Sequence, residues 1–274
     1  MIIGGKQFET TGHTYVMGIL NVTPDSFSDG GKWNSMDAAL KHAEDMINDG
    51  ADILDIGGES TRPGYTLLPD DEEISRVAPV IEAVKKNFDI PVSVDTYKSA
   101  VAKAALEAGA DLVNDIWGLK YDPDMASVIA KANVPCCLMH NRKEAVYNDY
   151  LPDVLDDLRD CVRLAKQAGI ADENIILDPG IGFGKTLEHN LILTNRVEIL
   201  HELGYPILLG TSRKSMIGLT LDLPKDQREE GTLVTTVMGV MKGCMFVRVH
   251  NVLANRRAVD MTEAILQSGG NANG

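Results

Sequence analysis

One pattern recurs eight times along the 274 residues of this chain: a short apolar run ends in polar residues, and an amphipathic segment follows. Strands that alternate with helical segments at roughly 30-residue intervals pair in parallel, because only a long crossover returns the chain in the same direction. Each run is short enough to be a buried strand. The runs span residues 15–20, 52–56, 91–94, 111–113, 135–139, 174–177, 206–209 and 245–249.

Eight such units predict an α/β fold, a closed (β/α)8 TIM barrel of about 250 residues. An open doubly wound sheet is the alternative, because the number of strands does not by itself prove closure. Residues 2–13 contain Gly4, Gly5 and a second short run, which predicts an N-terminal β-hairpin that covers the bottom of the barrel. We expect a single domain over residues 1–274, with a disordered tail at 268–274.

The segments between the runs carry helix signals. Residues 37–48 have apolar side chains near helical spacing, Ser35 is a candidate N-cap, and Gly50 suits a left-handed stop. A glycine precedes the next strand again at positions 109, 169 and 204. The acidic run at 70–73 is favourable in a first helical turn, and we assign it no function.

Composition excludes several classes of function. Lys and Arg number 26 against 40 Asp and Glu, a net charge of −14, which disfavours nucleic acid and anionic membrane as general partners. No apolar run approaches the roughly 20 residues of a membrane span, and the first residues lack the features of a signal peptide. The cysteines form no C-x-x-C pair and the histidines no zinc motif, so we expect a protein of the reducing cytoplasm.

The loops that follow the predicted strands are unusually polar, and TIM barrels carry their active sites there. Segments 21–31 and 57–64 are long and rich in Gly, Ser and Thr, as expected of loops that close over a ligand. Four cations follow the last two strands, where this fold commonly binds phosphate: Arg213, Lys214, Arg248 and His250. In an acidic protein they predict a locally cationic site for an anion.

Carboxylates and carboxamides follow the third, fourth and sixth runs, at Asp95, Asn114, Asp115 and Asp178. Singly, helix capping or hydrogen bonding at the barrel rim explains each of them equally well. Together they suit a flat heterocycle rich in hydrogen-bond donors and acceptors. The glycine-rich segment 180–186 is neither a Walker A loop, which would need glycine at Pro179, nor a dinucleotide fingerprint, which would need glycine at Lys185.

These segments together resemble the signature set of the dihydropteroate synthase family. The matching segments are 21–31, 57–64, 93–96, 113–116, 178–185, 212–215 and 248–250. They follow the family's order on every predicted strand except the fifth, where Met139, His140 and Asn141 also fit. Asn251 departs from the family pattern, because many members have Asp there.

The resemblance implies a folate-biosynthesis transferase that joins 6-hydroxymethyl-7,8-dihydropterin diphosphate to p-aminobenzoate, with Mg²⁺, giving 7,8-dihydropteroate and pyrophosphate. It also implies a cytoplasmic homodimer that sulfonamides inhibit. By resemblance, the residues around the pterin are Asp95, Asn114, Ile116, Asp178, Lys214 and Arg248. Those at the diphosphate are Arg62, Arg248 and His250, with Asn21 as the metal ligand. Those at p-aminobenzoate are Phe27, Thr61, Pro63, Phe183, Lys214 and Ser215, with Asp29 near the amine.

The residue types suggest a dissociative mechanism. An aromatic amine is a weak nucleophile, so we expect the bond to diphosphate to break before the amine attacks. Asp95 and Asp178 would then stabilise a pterin cation, with Lys214 and Asp29 as the other catalytic residues. Two alternatives stay open: a pterin-binding methyltransferase domain that transfers a methyl group to a corrinoid protein, and a non-catalytic paralogue that acts as a binding module.

Overall fold

The computed structural model describes residues 1–22, 32–59 and 67–268, in which strands alternate with helices. The strands are β1 (Ile2–Ile3), β2 (Lys6–Gln7), β3 (Tyr15–Asn21), β4 (Ile53–Gly57), β5 (Val92–Asp95), β6 (Leu112–Asp115), β7 (Cys136–Met139), β8 (Ile175–Asp178), β9 (Leu208–Leu209) and β10 (Phe246–Val249). The helices are α1 (Lys32–Asn48), α2 (Asp70–Asn87), α3 (Ser99–Glu107), α4 (Met125–Ala132), α5 (Tyr150–Gln167), α6 (Leu187–Asn195), α7 (Ser215–Leu221), α8 (Glu229–Met241) and α9 (Val252–Ser268).

Strands β3 to β10 form a single parallel sheet, in the order β8-β7-β6-β5-β4-β3-β10-β9. The two edge strands meet through a parallel bridge between Leu177 and Ile207, where the Leu177 amide donates to the Pro206 carbonyl at 2.9 Å. The sheet therefore closes on itself. The predicted TIM barrel is confirmed, and the open doubly wound alternative is wrong.

Most strands continue beyond the predicted apolar run. Gly57 pairs with Asp95, and Asp95 pairs with Asn114, in parallel register. A strand ladder requires only backbone N–H and C=O groups, so a polar side chain does not end it. The polar residues predicted for the loops therefore stand on the wall of the barrel, where the backbone is fixed on both sides.

Helix ends follow the glycine pattern but not the predicted cap. The glycines before four strands have φ angles of +96° (Gly50), +107° (Gly109), +91° (Gly169) and +81° (Gly204), so the predicted left-handed stops are confirmed. Helix α1 begins at Lys32, which places Ser35 inside the helix and makes its prediction as N-cap wrong. A capping residue needs non-helical backbone angles, which a position within the helix does not have.

The acidic residues 70–73 form the first turn of α2, as predicted. Glu73 does more than favour the helix start, because it is 1% exposed. The Lys98 ammonium lies 2.7 Å from the Glu73 carboxylate and 2.8 Å from the Glu59 carboxylate. Glu59 is the last described residue of the loop that follows β4. Part of the acidic run therefore belongs to a buried ion-pair cluster.

An apolar cluster fills the bottom of the barrel. Seven strands contribute to it, through Met17, Ile53, Leu112, Cys137, Ile176, Leu208 and Phe246. Strands β1 and β2 pair antiparallel, with Ile3 opposite Lys6. Ile3 and Phe8 pack into the same cluster, and both are buried. The predicted hairpin and its position at the bottom of the barrel are confirmed.

Three further predictions concern the C-terminal tail, the cysteines and membrane-spanning helices. Helix α9 extends through Ser268, so the predicted disordered tail is wrong at that residue, and 269–274 lie outside the described residues. The four cysteines are buried and free. Among the described helices, none combines the length and apolar character needed to cross a membrane.

Candidate active site

A polar layer lies directly above the apolar bottom of the barrel. Successive side chains on a strand point to opposite faces, so the residue two positions after an inward-facing one also points inward. This spacing joins the two layers on four strands: Ile53 to Asp55, Leu112 to Asn114, Ile176 to Asp178 and Phe246 to Arg248. The polar side chains therefore line the carboxyl end of the barrel, where this fold carries its active sites.

Arg248 connects two carboxylates across this layer. Its Nε donates to Asp55 Oδ2 at 2.5 Å, and its Nη2 donates to Asp95 Oδ2 at 2.6 Å. Asn114 Nδ2 donates to the same Asp55 oxygen at 3.1 Å. Burial disfavours the guanidinium charge, but the two carboxylates outweigh it and raise the pKa of Arg248. Burial also raises the pKa of Asp95, against the opposing effect of Arg248.

Three buried oxygen atoms in this layer accept no hydrogen bond from the described residues: Asp55 Oδ1, Ser93 Oγ and Asp95 Oδ1. Asp55 and Ser93 are register partners on adjacent strands. A buried polar atom without a partner costs about 1–3 kcal/mol, so such atoms are rare in the interior of a stable fold. The layer is therefore suited to a ligand that brings its own N–H donors.

Asp178 and Lys214 are two further charged residues at the carboxyl end of the barrel, which we call the mouth. Burial raises the pKa of Asp178 to about 6, although its Oδ1 accepts a hydrogen bond from the Gly180 amide at 2.6 Å. Burial lowers the pKa of Lys214 to about 8, and the charges of Asp178 and Asp95 oppose this shift. Lys214 Nζ lies 4.1 Å from the centre of the Phe183 ring. Both charges are thus held in surroundings that disfavour them, as is common at functional sites.

The loops after β9 and β10 bring Ser212 and His250 together. Ser212 Oγ lies 2.9 Å from His250 Nδ1, and the His250 amide donates to the same hydroxyl at 3.2 Å. Arg213 does not join them, because its guanidinium pairs with Glu229 at 3.4 Å. The set of four cations predicted for an anion therefore reduces to Lys214, Arg248 and His250.

The prediction of a locally cationic mouth is wrong for the described residues. Arg248 is paired with Asp55 and Asp95, and the charges of Asp178 and Asp95 act on Lys214 and raise its pKa against the effect of burial, so carboxylates accompany the cations. The sequence did not reveal this balance because Asp55 lies within an apolar run and carries no loop signal. A single polar residue with strand periodicity inside such a run, as in Ile53-Leu54-Asp55-Ile56, is the signal that identifies it.

The remaining predicted residues fall into two groups. Asn21 is half-buried at the end of β3, Ile116 is buried, and Ser215 is exposed at the start of α7. Ile116 and Phe183 share a small apolar cluster with Met139. Five predicted residues lie outside the described residues: Phe27, Asp29, Thr61, Arg62 and Pro63.

Comparison with known proteins identifies close relatives. The family described as pterin binding enzyme matches residues 17–250. A dihydropteroate synthase of Clostridium beijerinckii is 63% identical over 268 residues, which cover 97% of this chain and 100% of the relative.

Two solved structures are similar over the whole barrel. The dihydropteroate synthase of Clostridium difficile, in the presence of pteroic acid, has a TM-score of 0.92 at 51% identity and covers 94% of this chain and 99% of its own. The dihydropteroate synthase of Xanthomonas albilineans with 4-aminobenzoic acid has a TM-score of 0.89 at 42% identity and covers 93% of each chain. The family match over residues 17–250 includes the strands that carry the polar layer.

Proposed function

The chain belongs to the pterin-binding enzymes and, among them, to the dihydropteroate synthases, and from this premise we propose which of its residues carry out the reaction. The enzyme is a transferase that condenses 6-hydroxymethyl-7,8-dihydropterin diphosphate with p-aminobenzoate to 7,8-dihydropteroate and pyrophosphate. The observation that carries the assignment is the hydrogen-bonded chain Asn114–Asp55–Arg248–Asp95 above the barrel floor. We treat residues 1–274 as one pterin-binding domain.

The pterin ring binds in the polar layer. Its ring N–H and amino groups donate to Asp95, Asn114 and Asp178, while Lys214 donates to its acceptors. The unpartnered Oδ1 atom of Asp95 supports this role, since a ligand donor would remove its cost. Ile116 and the guanidinium plane of Arg248 pack around the ring.

The diphosphate binds above this layer, at Arg62, Arg248 and His250. Mg²⁺ would be held by the Asn21 carboxamide together with diphosphate oxygens, and when bound it neutralises the charge of the leaving group. The donor set fits such an ion, because Mg²⁺ takes few protein oxygens and keeps several waters. Among the described residues there is no group of three His, Cys, Asp or Glu side chains that could form a complete protein site instead.

p-Aminobenzoate binds at the rim, beside Phe27, Thr61, Pro63, Phe183, Lys214 and Ser215. The contact of Lys214 with the Phe183 ring supports this position, since it presents a cation to the carboxylate next to an apolar wall for the benzene ring. Asp29 approaches the amine. Because sulfonamides have a similar ring and polar end, we expect them to compete for this site.

We infer that loss of pyrophosphate precedes attack by the amine. The ionised carboxylates of Asp95 and Asp178 face the pterin and stabilise positive charge that develops on it. Formation of the cation before attack does not require a strong nucleophile, which suits an aromatic amine. Single-turnover mixing without p-aminobenzoate tests the order of steps. Early pyrophosphate release is expected, and release that always requires the amine would overturn this inference.

The test of the function is direct. The protein is incubated with the pterin diphosphate, p-aminobenzoate and Mg²⁺, and both products are measured, with Asp178→Asn as the matched control. Dihydropteroate and pyrophosphate in equal amounts are expected from the wild type, at a rate far above that of Asp178→Asn. Absence of product in the wild type would favour a non-catalytic paralogue, and methyl transfer to a corrinoid protein would favour the methyltransferase alternative.

The assembly and location complete the proposal. Helices α8 and α9 pack together and expose large apolar side chains, among them Val234, Met241, Met261 and Ile265. Surfaces of this kind commonly mark protein interfaces, which supports the homodimer implied by the family. Light scattering after gel filtration measures the mass directly. The buried free cysteines are compatible with the reducing cytoplasm in which we place the enzyme.

A further inference from the structure

The glycine-rich segment after β8 matches neither nucleotide-binding motif, and its structure shows a different use. We call residues 179–185 the β8 loop. Gly180, Gly182 and Gly184 have φ angles of +69°, +90° and +54°. A Cβ atom at Gly180 would overlap the backbone carbonyl of His140, and one at Gly184 would overlap that of Arg142. The glycines thus allow the β8 loop to lie directly on the loop that follows β7.

Lys185 holds the β8 loop in place through hydrogen bonds. Its Nζ lies 2.7 Å from His140 Nδ1, 2.9 Å from the Gly180 carbonyl and 2.9 Å from the Phe183 carbonyl. An ammonium has three N–H donors, so these three acceptors use all of them. Burial lowers the pKa of Lys185 to about 7, and the charges of Asp178 and Asp157 oppose this shift.

His140 links Lys185 to the outer helices. It is fully buried, and its Nε2 lies 3.0 Å from Asp157 Oδ2 on α5. Because Nδ1 accepts from Lys185, the hydrogen-bond network assigns the ring proton to Nε2, which donates to Asp157. Burial lowers the pKa of His140 to about 4, in agreement with a neutral ring.

The group held by this network is Phe183. Its carbonyl accepts directly from Lys185, and its ring lies beneath the Lys214 ammonium. A Cβ atom at Gly182 would approach Lys214 Cδ to 3.2 Å, so the backbone of the β8 loop also contacts the Lys214 side chain. A shift of the β8 loop would therefore move both the apolar wall and the cation of the rim.

We propose that Lys185 and His140 are positioning residues that hold the β8 loop so that Phe183 and Lys214 are in place for p-aminobenzoate. This inference rests on the proposed function, since it names the subsite that the network serves. Phe183 is assigned to p-aminobenzoate alone, whereas Lys214 and Asp178, whose Oδ1 accepts from the Gly180 amide, are assigned to the pterin as well. Because Lys185 holds Phe183 through its carbonyl, removal of Lys185 or His140 should raise KM for p-aminobenzoate more than KM for the pterin diphosphate, which a general loss of folding would not do.

The experiment compares Lys185→Met and His140→Leu with two controls. Lys143→Met removes an exposed lysine near the same network, and His140→Asn keeps an acceptor close to the Nδ1 position. We expect Lys185→Met and His140→Leu to raise KM for p-aminobenzoate about tenfold, with kcat within about threefold and KM for the pterin diphosphate within about twofold. His140→Asn should recover much of the loss, and Lys143→Met should match the wild type.

Hydrogen exchange of the peptide that contains the β8 loop provides a readout without catalysis. Exchange should rise in Lys185→Met and remain at the wild-type level in Lys143→Met. Unchanged exchange, unchanged kinetics, or an equal rise in both KM values would each overturn the positioning role. A wild type that forms no dihydropteroate would instead refute the proposed function, and the exchange data would still decide whether Lys185 holds the loop.

Discussion

At the bottom of the barrel the inward side chains are apolar and pack against the hairpin, whereas two residues farther along four of the same strands they are Asp, Asn or Arg. The bottom stabilises the fold by removing apolar surface from water. The mouth does the opposite, because burial shifts the pKa values of Asp95, Asp178 and Lys214 toward their neutral forms. On these strands, the side chains that stabilise the fold and the side chains assigned to the ligand thus lie in adjacent layers.

The largest effect on folding is expected at the bottom. Phe246→Ala removes a fully buried ring and should lower the free energy of unfolding by about 3–5 kcal/mol. Activity per folded molecule should stay near the wild-type value. Urea denaturation and assays at low temperature measure both quantities. Ile2→Ala, at an exposed position of the hairpin, is the control and should cost no more than about 0.5 kcal/mol.

The largest effect on chemistry is expected at the mouth. Asp178→Asn keeps an oxygen for the Gly180 amide but removes the charge, and should lower kcat/KM by about 10²–10³-fold. The free energy of unfolding should be unchanged or higher, because a buried charge has been removed. A loss of stability comparable to that of Phe246→Ala would show that the two layers are not separate in function.

Arg248→Ala should affect both properties. It leaves Asp55 and Asp95 buried without their cation, so stability falls, and pyrophosphate affinity measured by calorimetry should fall at least about tenfold. Arg213→Ala is the matched control, because its guanidinium pairs with Glu229 outside the mouth. Equal pyrophosphate affinity in wild type and Arg248→Ala would remove Arg248 from the diphosphate site.

Lys214→Ala should raise the KM of both substrates, each by about tenfold, because we place its ammonium between the pterin and p-aminobenzoate subsites. Steady-state kinetics with each substrate varied in turn provide the measurement. If either KM stays at the wild-type value, Lys214 does not contact that substrate.

The smallest effect expected is a dependence on pH with opposite signs for ligand binding and stability. Since the folded pKa of Asp178 is raised to about 6, its contribution to stability is present below pH 3.8 and is lost as pH rises through 6. Affinity for pteroic acid should rise over the upper part of this range, because the ionised carboxylate is the acceptor. Calorimetry between pH 5.5 and 7.5 should show a severalfold gain that is smaller in Asp178→Asn.

The sequence predicted the mouth better than it predicted the charge balance within it. Asp95, Asn114, Asp178, Lys214 and Arg248 stand around one opening, as their positions after the predicted strands indicated. Asp55 was missed because a lone carboxylate within an apolar run does not disturb the strand pattern. Its contact with Arg248 depends on the pairing of β10 with β3 next to β4, which brings residues 193 positions apart into hydrogen-bond distance.

Predictions from a short stretch of sequence were correct where the backbone conformation depends on the residue itself. The glycine stops were predicted correctly because a left-handed conformation favours glycine whatever surrounds it. Ser35 was not, because a cap depends on where the helix begins, and the burial of Glu73 against Lys98, inside the correctly predicted first turn, has no local signal. The sequence showed that the glycine pattern of the β8 loop differs from that of a phosphate-binding loop. Nothing in the sequence indicates that these glycines contact the loop that follows β7.

By itself, the sequence determined the repeated strand and helix pattern, the barrel with its hairpin, and the family, because these follow from periodicity and from residues in fixed order. The tertiary structure decided which charges meet. Arg248 between two carboxylates, Arg213 turned toward Glu229, and Lys185 inside the β8 loop are results of strand pairing and loop packing. Electrostatic interactions depend on distance in space, and that distance exists only after the strands have paired and the loops have packed.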